Sequence, residues 1–407
     1  MSFAAMESVE FQTINENRTI KLPVIITMYL FFAVRLSPDL LANTVLWVCT
    51  FLLFVLVSAF SILIYGYAKN LSFVKWYALF SLYSISSLVW TKYLQNVIEG
   101  LRFYLVSFFV FLVLSLLIRT MADFYLVIKV IKAALFTCFV DMLINLNFGL
   151  LFAERLGLNN INSNWNSNTL GGCLAGYIIF SILLIKHKRI RKAFIVPQIV
   201  IDLVFAFFTF LTGSRKSIIM LVLFLVLLQI LESKKKFWAR LFFSGFVVLV
   251  GAIAIMNVPV LYNMLGYRFV GVVSGTSVEG SYIGRSRMIK LGLEWFVRSP
   301  IVGYGVEAFR AMSPWNTYAH TNYVELLVDL GAVGVLIYYS WIAFFLLKRK
   351  YVLNSKTSSY IISSVVVFAL LDFMQVSYND LLMIFFLFSG FVLIDLQTNT
   401  KVGVINQ

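Results

Sequence analysis

The sequence predicts an all-α polytopic membrane protein of about twelve transmembrane helices, with one large loop between the ninth and the tenth. Three observations carry this. The 407 residues are 61% hydrophobic and 13% charged, with a mean hydropathy of +0.91. A soluble domain carries about twice that share of charge, so a chain this apolar cannot cover itself in water. Apolar runs recur from residue 22 to residue 396, which one cleaved signal segment does not explain. Finally, the clustered basic residues fall between the runs, in short loops.

The runs are taken in order. Leu22 to Leu36 is short enough to tilt or lie partly at the interface; Thr44 to Tyr67 spans comfortably. Val74 to Tyr93, Phe103 to Ile118 and Val130 to Leu150 follow. A polar, Asn-rich loop from Phe152 to Thr169 then interrupts the pattern. Leu170 to Ile185, Ala193 to Leu211, Ser217 to Leu231 and Phe237 to Asn257 are the next four. After the long loop, Val258 to about Thr321, come Asn322 to Leu347, Ser358 to Val376 and Leu381 to Leu396. This divides the chain into a scaffold (1–168), a core (169–350) containing the outer loop 258–321, and a C-terminal pair of spans with a tail (351–407).

Lys186-His187-Lys188-Arg189-Ile190-Arg191-Lys192, Lys234-Lys235-Lys236 and Lys348-Arg349-Lys350 occupy alternate loops on one side, which reads as cytoplasmic, with both termini. The net charge of +15 is therefore a topology signal, and nucleic acid is not an expected partner. Six of the Lys and Arg residues sit in the long outer loop, against that trend. Cys49, Cys138 and Cys173 lie in apolar runs without C-x-x-C spacing, so neither a disulfide nor a zinc framework is expected.

Chemistry concentrates in three places on the face opposite the basic loops. Thr212-Gly213-Ser214-Arg215-Lys216-Ser217 is a tight hairpin between two spans. Gly213 suits a helix C-terminus and Ser214 the next N-cap. Arg215 and Lys216 then stand at a helix N-terminus, where they would cradle a diphosphate or else snorkel to lipid headgroups. From Arg285 to Arg298 the pattern is an amphipathic helix. Met288, Ile289, Gly292, Leu293 and Phe296 share one face; Arg287, Lys290, Glu294 and Arg298 share the other. By its angle Arg285 falls on the apolar face, where a cation needs an anionic partner, whereas Arg287 points to water or headgroups. Ser299-Pro300 ends the helix, and Gly303-Tyr304-Gly305 makes a turn. In His320-Thr321-Asn322-Tyr323-Val324-Glu325, Asn322 is an N-cap with Glu325 as its capping-box partner. His320 sits just outside that span, as a polar anchor or as a base near neutral pH.

Lys129, Lys132, Asp141, Asp202, Asp372 and Asp380 lie within or near spans, and Asp202 is the most central. No His or Cys pair has metal-ligand spacing, and no Walker loop or Gly-x-Ser-x-Gly elbow is present.

Thr-Gly-Ser-Arg215 opening a span, Gly-Arg285 with Pro300-x-x-Gly303-x-Gly305, and His320-x-Asn322-Tyr323 with Gly331-x-x-Gly334 together resemble the O-antigen ligase and O-antigen polymerase superfamily. The likeness runs from about Leu170 to Leu347. It implies a membrane-embedded, GT-C-like glycosyltransferase, inverting and metal-independent, with no cofactor. Undecaprenyl-diphosphate-linked glycans and membrane lipids are the implied partners, with a chain-length regulator and a flippase beside them, in the bacterial cytoplasmic membrane. By position, Arg215 and Arg285 match the arginines that hold the diphosphate, and His320 matches the candidate base. Lys216, Ser214, Arg287, Asn322, Tyr323 and Glu325 are expected to contact substrate. Ile289 departs from the family, where a Trp is common. The short outer loops favour a repeat-unit polymerase over a ligase acting on lipid A-core or protein; a flippase for lipid-linked oligosaccharide is the reading from another class.

Overall fold

The computed structural model describes residues 19–150, 156–157, 161, 165–232, 237–259, 262, 266, 270, 280–348 and 355–405. Among them the α-helices are α1 (Leu22–Leu36), α2 (Pro38–Ala42), α3 (Thr44–Tyr65), α4 (Ser72–Ser86), α5 (Leu94–Leu117), α6 (Met121–Ile144), α7 (Ser167–Lys186) and α8 (Ile195–Leu211). They continue with α9 (Arg215–Leu231), α10 (Phe237–Asn257), α11 (Gly280–Arg298), α12 (Ala308–Met312), α13 (Asn322–Lys348), α14 (Ser355–Leu371) and α15 (Leu381–Ile405). The described residues form no strand beyond an isolated Leu146–Ile161 bridge. Among the described residues seven helices are long and apolar enough to cross a membrane: α3, α5, α7, α8 with its preceding turn, α10, α13 and α15. This is an integral membrane protein. Lys234 to Lys236, Arg349 and Lys350, the N-terminal polar stretch, and most of the Asn-rich loop and of 258–279 lie outside the described residues.

Each expected apolar run carries a helix, with shifted ends. Hydropathy marks only the lipid-facing length, while the helix continues into polar surroundings. So α5 starts at Leu94 and takes in Glu99 and Arg102, and α6 starts at Met121, nine residues before the expected Val130. A capping box fixes that start: Asp123 N donates to Thr120 Oγ1 (3.1 Å) and Thr120 N returns to Asp123 Oδ2 (3.1 Å). The run Val74 to Tyr93 is helical only to Ser86. There Ser84, Ser86 and Ser87 donate their hydroxyls back to carbonyls three or four residues earlier and loosen the helix into a 3-10 turn.

Helix α15 is the axis of the bundle. The window Leu381–Thr398 is 83% buried, against 6% for α10. Phe391 packs against Phe73 (5.5 Å), Phe345 (5.0 Å) and, stacked, Phe344 (4.4 Å), so α4, α13 and α15 share one aromatic core. Helix α10 buries only Ser244 and leaves Trp238, Phe242 and Phe246 exposed, as suits a helix bathed in hydrocarbon.

Asp202, which the sequence leaves without a partner, has several. Ser181 Oγ donates to its Oδ2 (2.7 Å) and Gln198 Nε2 to its Oδ1 (2.9 Å), while Lys132 Nζ donates to Gln198 Oε1 (2.6 Å). Lys132 also lies 4.7 Å from the Tyr177 ring centre. This chain of bonds ties α6, α7 and α8 together with its polar groups paired, as an apolar surrounding demands.

Candidate active site

The ends of the helices that carry the three motifs converge, and connecting segments bind them to one another. The first is the hairpin 212–217. Gly213 takes a left-handed φ of 56°, the C-terminal geometry expected of it. Ser214 holds the N-cap position of α9 without making a cap bond. Instead its buried hydroxyl donates to Asn168 Oδ1 (3.0 Å) and lies 2.9 Å from Ser217 Oγ, because α7 passes close behind the turn. Ser214 therefore locks the hairpin to α7. Arg215 and Lys216 open α9, both half-buried, and Lys216 Nζ donates to Gln375 Oε1 (2.7 Å) in the segment between α14 and α15.

Helix α11 starts at Gly280, before the expected Arg285, and ends at Arg298 as expected. Its packed stripe is Met288, Ile289, Gly292 and Trp295, set against Phe309, Val324 and Val328. Leu293, placed on the apolar face by angle, is 45% exposed. The reason is Gly292: with no side chain it lets α11 approach Val324 and Phe309 directly, and this rolls the contact toward Trp295. Arg285 is half-buried and Arg287 exposed, as their angles predict.

Downstream of α11 the chain is pinned to a break in α13. Gly331 has φ 66°, and a β-carbon there would collide with Ile301 O, so the break needs glycine. Ala332 N and Val333 N donate to Pro300 O (2.9 Å) and Ile301 O (3.2 Å), and Tyr304 N and Gly305 N donate to Val328 O (2.9 Å) and Asp329 O (2.7 Å). The buried Asp329 carboxylate accepts from Glu307 N (2.9 Å), Phe309 N (2.7 Å) and Tyr378 OH (3.1 Å). The two glycine-bearing motifs are thus one construction, which holds the segment leading to His320.

His320 itself has a left-handed φ of 59°, uncommon for a side chain of its size. Its ring lies 4.3 Å from that of Tyr318. Burial, then the positive charges of Arg285 and Lys216, push its imidazole down to about 4. These charges place α9, α11 and His320 in one electrostatic cluster. Arg285 and Asp380 also act on both Lys216 and Tyr318, and Asp380 acts on Arg35 at the end of α1.

The expected capping box at Asn322 does not form. Glu325 accepts from Ala319 N, because the left-handed turn at His320 brings that N–H over the first turn of α13. The Asn322 Oδ1 accepts from Ser377 N (3.0 Å), and its Nδ2 donates to Tyr339 OH (3.0 Å) and Asp372 Oδ2 (3.2 Å). Tyr323 donates to Ala369 O (2.9 Å) and stacks on Tyr339 at 4.8 Å. Asn322, Tyr323 and Glu325 thus frame the site, with their polar groups engaged inside the protein. Motif reading overlooked Gln375, Tyr318 and Arg35. Asp380 stood out only as an ionisable residue near a span end, and its Oδ1 also caps α15, accepting from Leu382 N (3.0 Å) and Met383 N (3.1 Å).

Among the described residues no group of three His, Cys, Asp or Glu side chains has metal-ligand geometry. What the arrangement offers is cations around a neutral imidazole, beside a buried amide. No curated protein matches the chain. Residues 200–339 match the protein-family model described as O-antigen ligase, which spans α8, the hairpin, α11, His320 and the break in α13. The family implies a membrane glycosyltransferase-like enzyme, of ligase or polymerase type, acting on lipid-linked glycans. This match covers about a third of the chain and supports a likeness to the O-antigen ligase and polymerase superfamily.

Proposed function

We propose that the protein polymerises undecaprenyl-diphosphate-linked repeat units into surface polysaccharide, at the outer face of a bacterial cytoplasmic membrane. In this reading all twelve apolar helices cross the membrane in a GT-C-like arrangement. Both termini and the basic loops are cytoplasmic, and the domain layout is the one drawn from the sequence. The observation that carries the reading is that the hairpin and the start of α13 meet on one segment, where Lys216 bonds Gln375 and Asn322 bonds Ser377, beside His320.

The chemistry is an inverting, metal-independent displacement. The bond from the donor sugar's C1 to the diphosphate oxygen breaks, and the diphosphate leaves with the electron pair. Arg285, Arg215 and Lys216 neutralise the charge that develops there, in a site with little water. The acceptor hydroxyl oxygen bonds to C1 and its proton goes to a ring nitrogen of His320. Gln375 adds a donor. Its Oε1 faces the Lys216 ammonium, which can only donate, so its Nε2 is fixed on the other side. Among the described residues that Nε2 is buried with no partner, and a phosphate oxygen would satisfy it. An imidazole near 4 is a weak base; burial is the larger cause, and an arriving diphosphate offsets the remaining part, which comes from Arg285 and Lys216. Donor binding therefore raises the basicity of His320 where it is needed. Arg287, exposed on α11, serves as an outer contact for the incoming anion. A chain-length regulator and a flippase complete the expected partners.

The second reading is a ligase, favoured by the description of the matching family. Reconstitution with the lipid-diphosphate repeat unit alone separates the two. A product ladder that disappears in Arg285→Ala supports the polymerase. Transfer only after lipid A-core or an acceptor protein is added means a ligase. No covalent product in either case removes the enzymatic reading and leaves a flippase.

A further inference from the structure

The segment that leads from α12 into His320 is pinned at both ends. Ser313, Ala319 and Thr321 are buried. Ser313 O accepts from Asn316 N (3.0 Å), Ala319 N donates to Glu325, and Thr321 Oγ1 donates to Asp372 O (3.2 Å). Ala319 belongs to the small core that Met288, Phe309, Val324 and Val328 build between α11 and α13. Tyr318, one residue earlier, is 41% exposed. Its ring centre lies 4.3 Å from that of His320, with the two planes at 58°. Ala319 is thus turned into the protein, and the aromatic rings on either side of it stand together. Because the backbone beside it is held, the Tyr318 ring is a fixed surface.

An exposed tyrosine near a membrane surface commonly serves as an interfacial anchor. Two observations set Tyr318 apart from that role. Its ring meets that of His320, and the charges of Arg285 and Asp380, which act on Lys216, act on Tyr318 as well. Tyr318 therefore faces the site.

With His320 as the base proposed above, the hydroxyl that gives up its proton must come within about 2.6–3.2 Å of a ring nitrogen. That hydroxyl belongs to the acceptor, so the sugar carrying it lies against the imidazole and beside the Tyr318 ring. The donor sugar, by contrast, is held through its diphosphate at the cations. A sugar ring presents a face of C–H groups, apolar and slightly positive, which complements the negative face of a phenol ring. We propose, on that reading of His320, that Tyr318 is the stacking floor of the acceptor subsite and receives the sugar that carries the acceptor hydroxyl.

The test uses the full-length protein in detergent and a glycan that can accept but not donate. This is the host's repeat-unit oligosaccharide, released from its lipid diphosphate by mild acid and reduced at the anomeric carbon. Binding is followed by saturation-transfer NMR, apart from turnover. Wild-type protein should bind the glycan saturably, with transfer strongest at the C–H protons of the sugar that carries the acceptor hydroxyl. Tyr318→Ala and Tyr318→Leu should weaken binding about tenfold, and Tyr318→Phe, which keeps the ring, should regain it. Leucine fills space without a flat face, so it separates stacking from lost packing. In the transfer assay the same variants should raise the acceptor KM and leave the donor KM unchanged. No saturation transfer to that sugar, or unchanged affinity in Tyr318→Leu, would overturn the proposal. So would a fall in kcat with the acceptor KM unchanged, which would make Tyr318 a support for His320, or a rise in the donor KM alone. Ring-dependent binding by a protein that transfers no sugar would leave the glycan subsite standing and remove the glycosyltransferase reading instead.

Discussion

His320 and His187 stand at opposite ends of the bundle in similar electrostatic company. Each is partly buried, each is surrounded by Arg and Lys, and each imidazole is held down to about 4. The difference lies in compensation and in backbone. Around His187 the cations belong to one basic loop and two nearby helix ends, and Glu232 answers them at 2.7 Å from Lys186. Around His320 the acting charges, Arg285 and Lys216, are both positive and are brought from α9 and α11. His320 also sits in a left-handed turn that Glu325 and the Gly331 break hold in place, whereas His187 simply ends α7. A depressed histidine alone is therefore no sign of catalysis. A constructed backbone, and charges brought together from separate helices, distinguish one end from the other.

The comparison breaks most directly at the two histidines. His320→Ala should lower turnover by about 10² to 10⁴-fold, the span of a general base, while His187→Ala leaves initial ladder rates in proteoliposomes unchanged. Equal losses would mean that both act through folding. Arg285→Gln comes next, with turnover reduced about a hundredfold or more. It should also move the acid limb of the kcat/KM profile to higher pH, because one of the charges depressing His320 is gone. Gln375→Glu sharpens the same point: it keeps the bond to Lys216 but sets a negative charge against the diphosphate. It should therefore raise the donor KM more than Gln375→Leu does.

Gly331→Ala tests the frame without touching charge. It places a side chain in a left-handed position against Ile301, and should cost about 1–3 kcal/mol, read as a lower melting temperature. The smallest effect is the pH dependence of stability. Both histidines bind protons more weakly in the fold than their ordinary 6.5, so between about 4 and 6.5 the unfolded chain holds more protons. Their stabilisation is present above pH 6.5 and fades as pH falls toward 4. Each single His→Ala variant should flatten the acid decline of the melting temperature, and a decline unchanged in both would place its origin elsewhere.

Much of this molecule was legible in one dimension. Hydropathy found the apolar helices, because a segment buried in lipid must satisfy its own backbone and be apolar along its length. Helical angle separated half-buried Arg285 from exposed Arg287, and turn chemistry placed Gly213. Those properties depend on residues a few positions apart. Partnerships over longer distances were not legible: Asp202 with Lys132 through Gln198, Lys216 with Gln375, Asn322 with Asp372 and Ser377, Gly303-x-Gly305 with the break at Gly331. The capping box at Asn322 shows how the two levels compete. Its local pattern was sound, yet the segment 372–378 offered Asn322 better partners, and the turn at His320 gave Glu325 to Ala319. Hydropathy determined which segments are helices, and helical angle which face of α11 packs, apart from Leu293. Only the packing of the helices and their connecting segments decided which polar groups meet, because that depends on contacts between residues far apart in the chain.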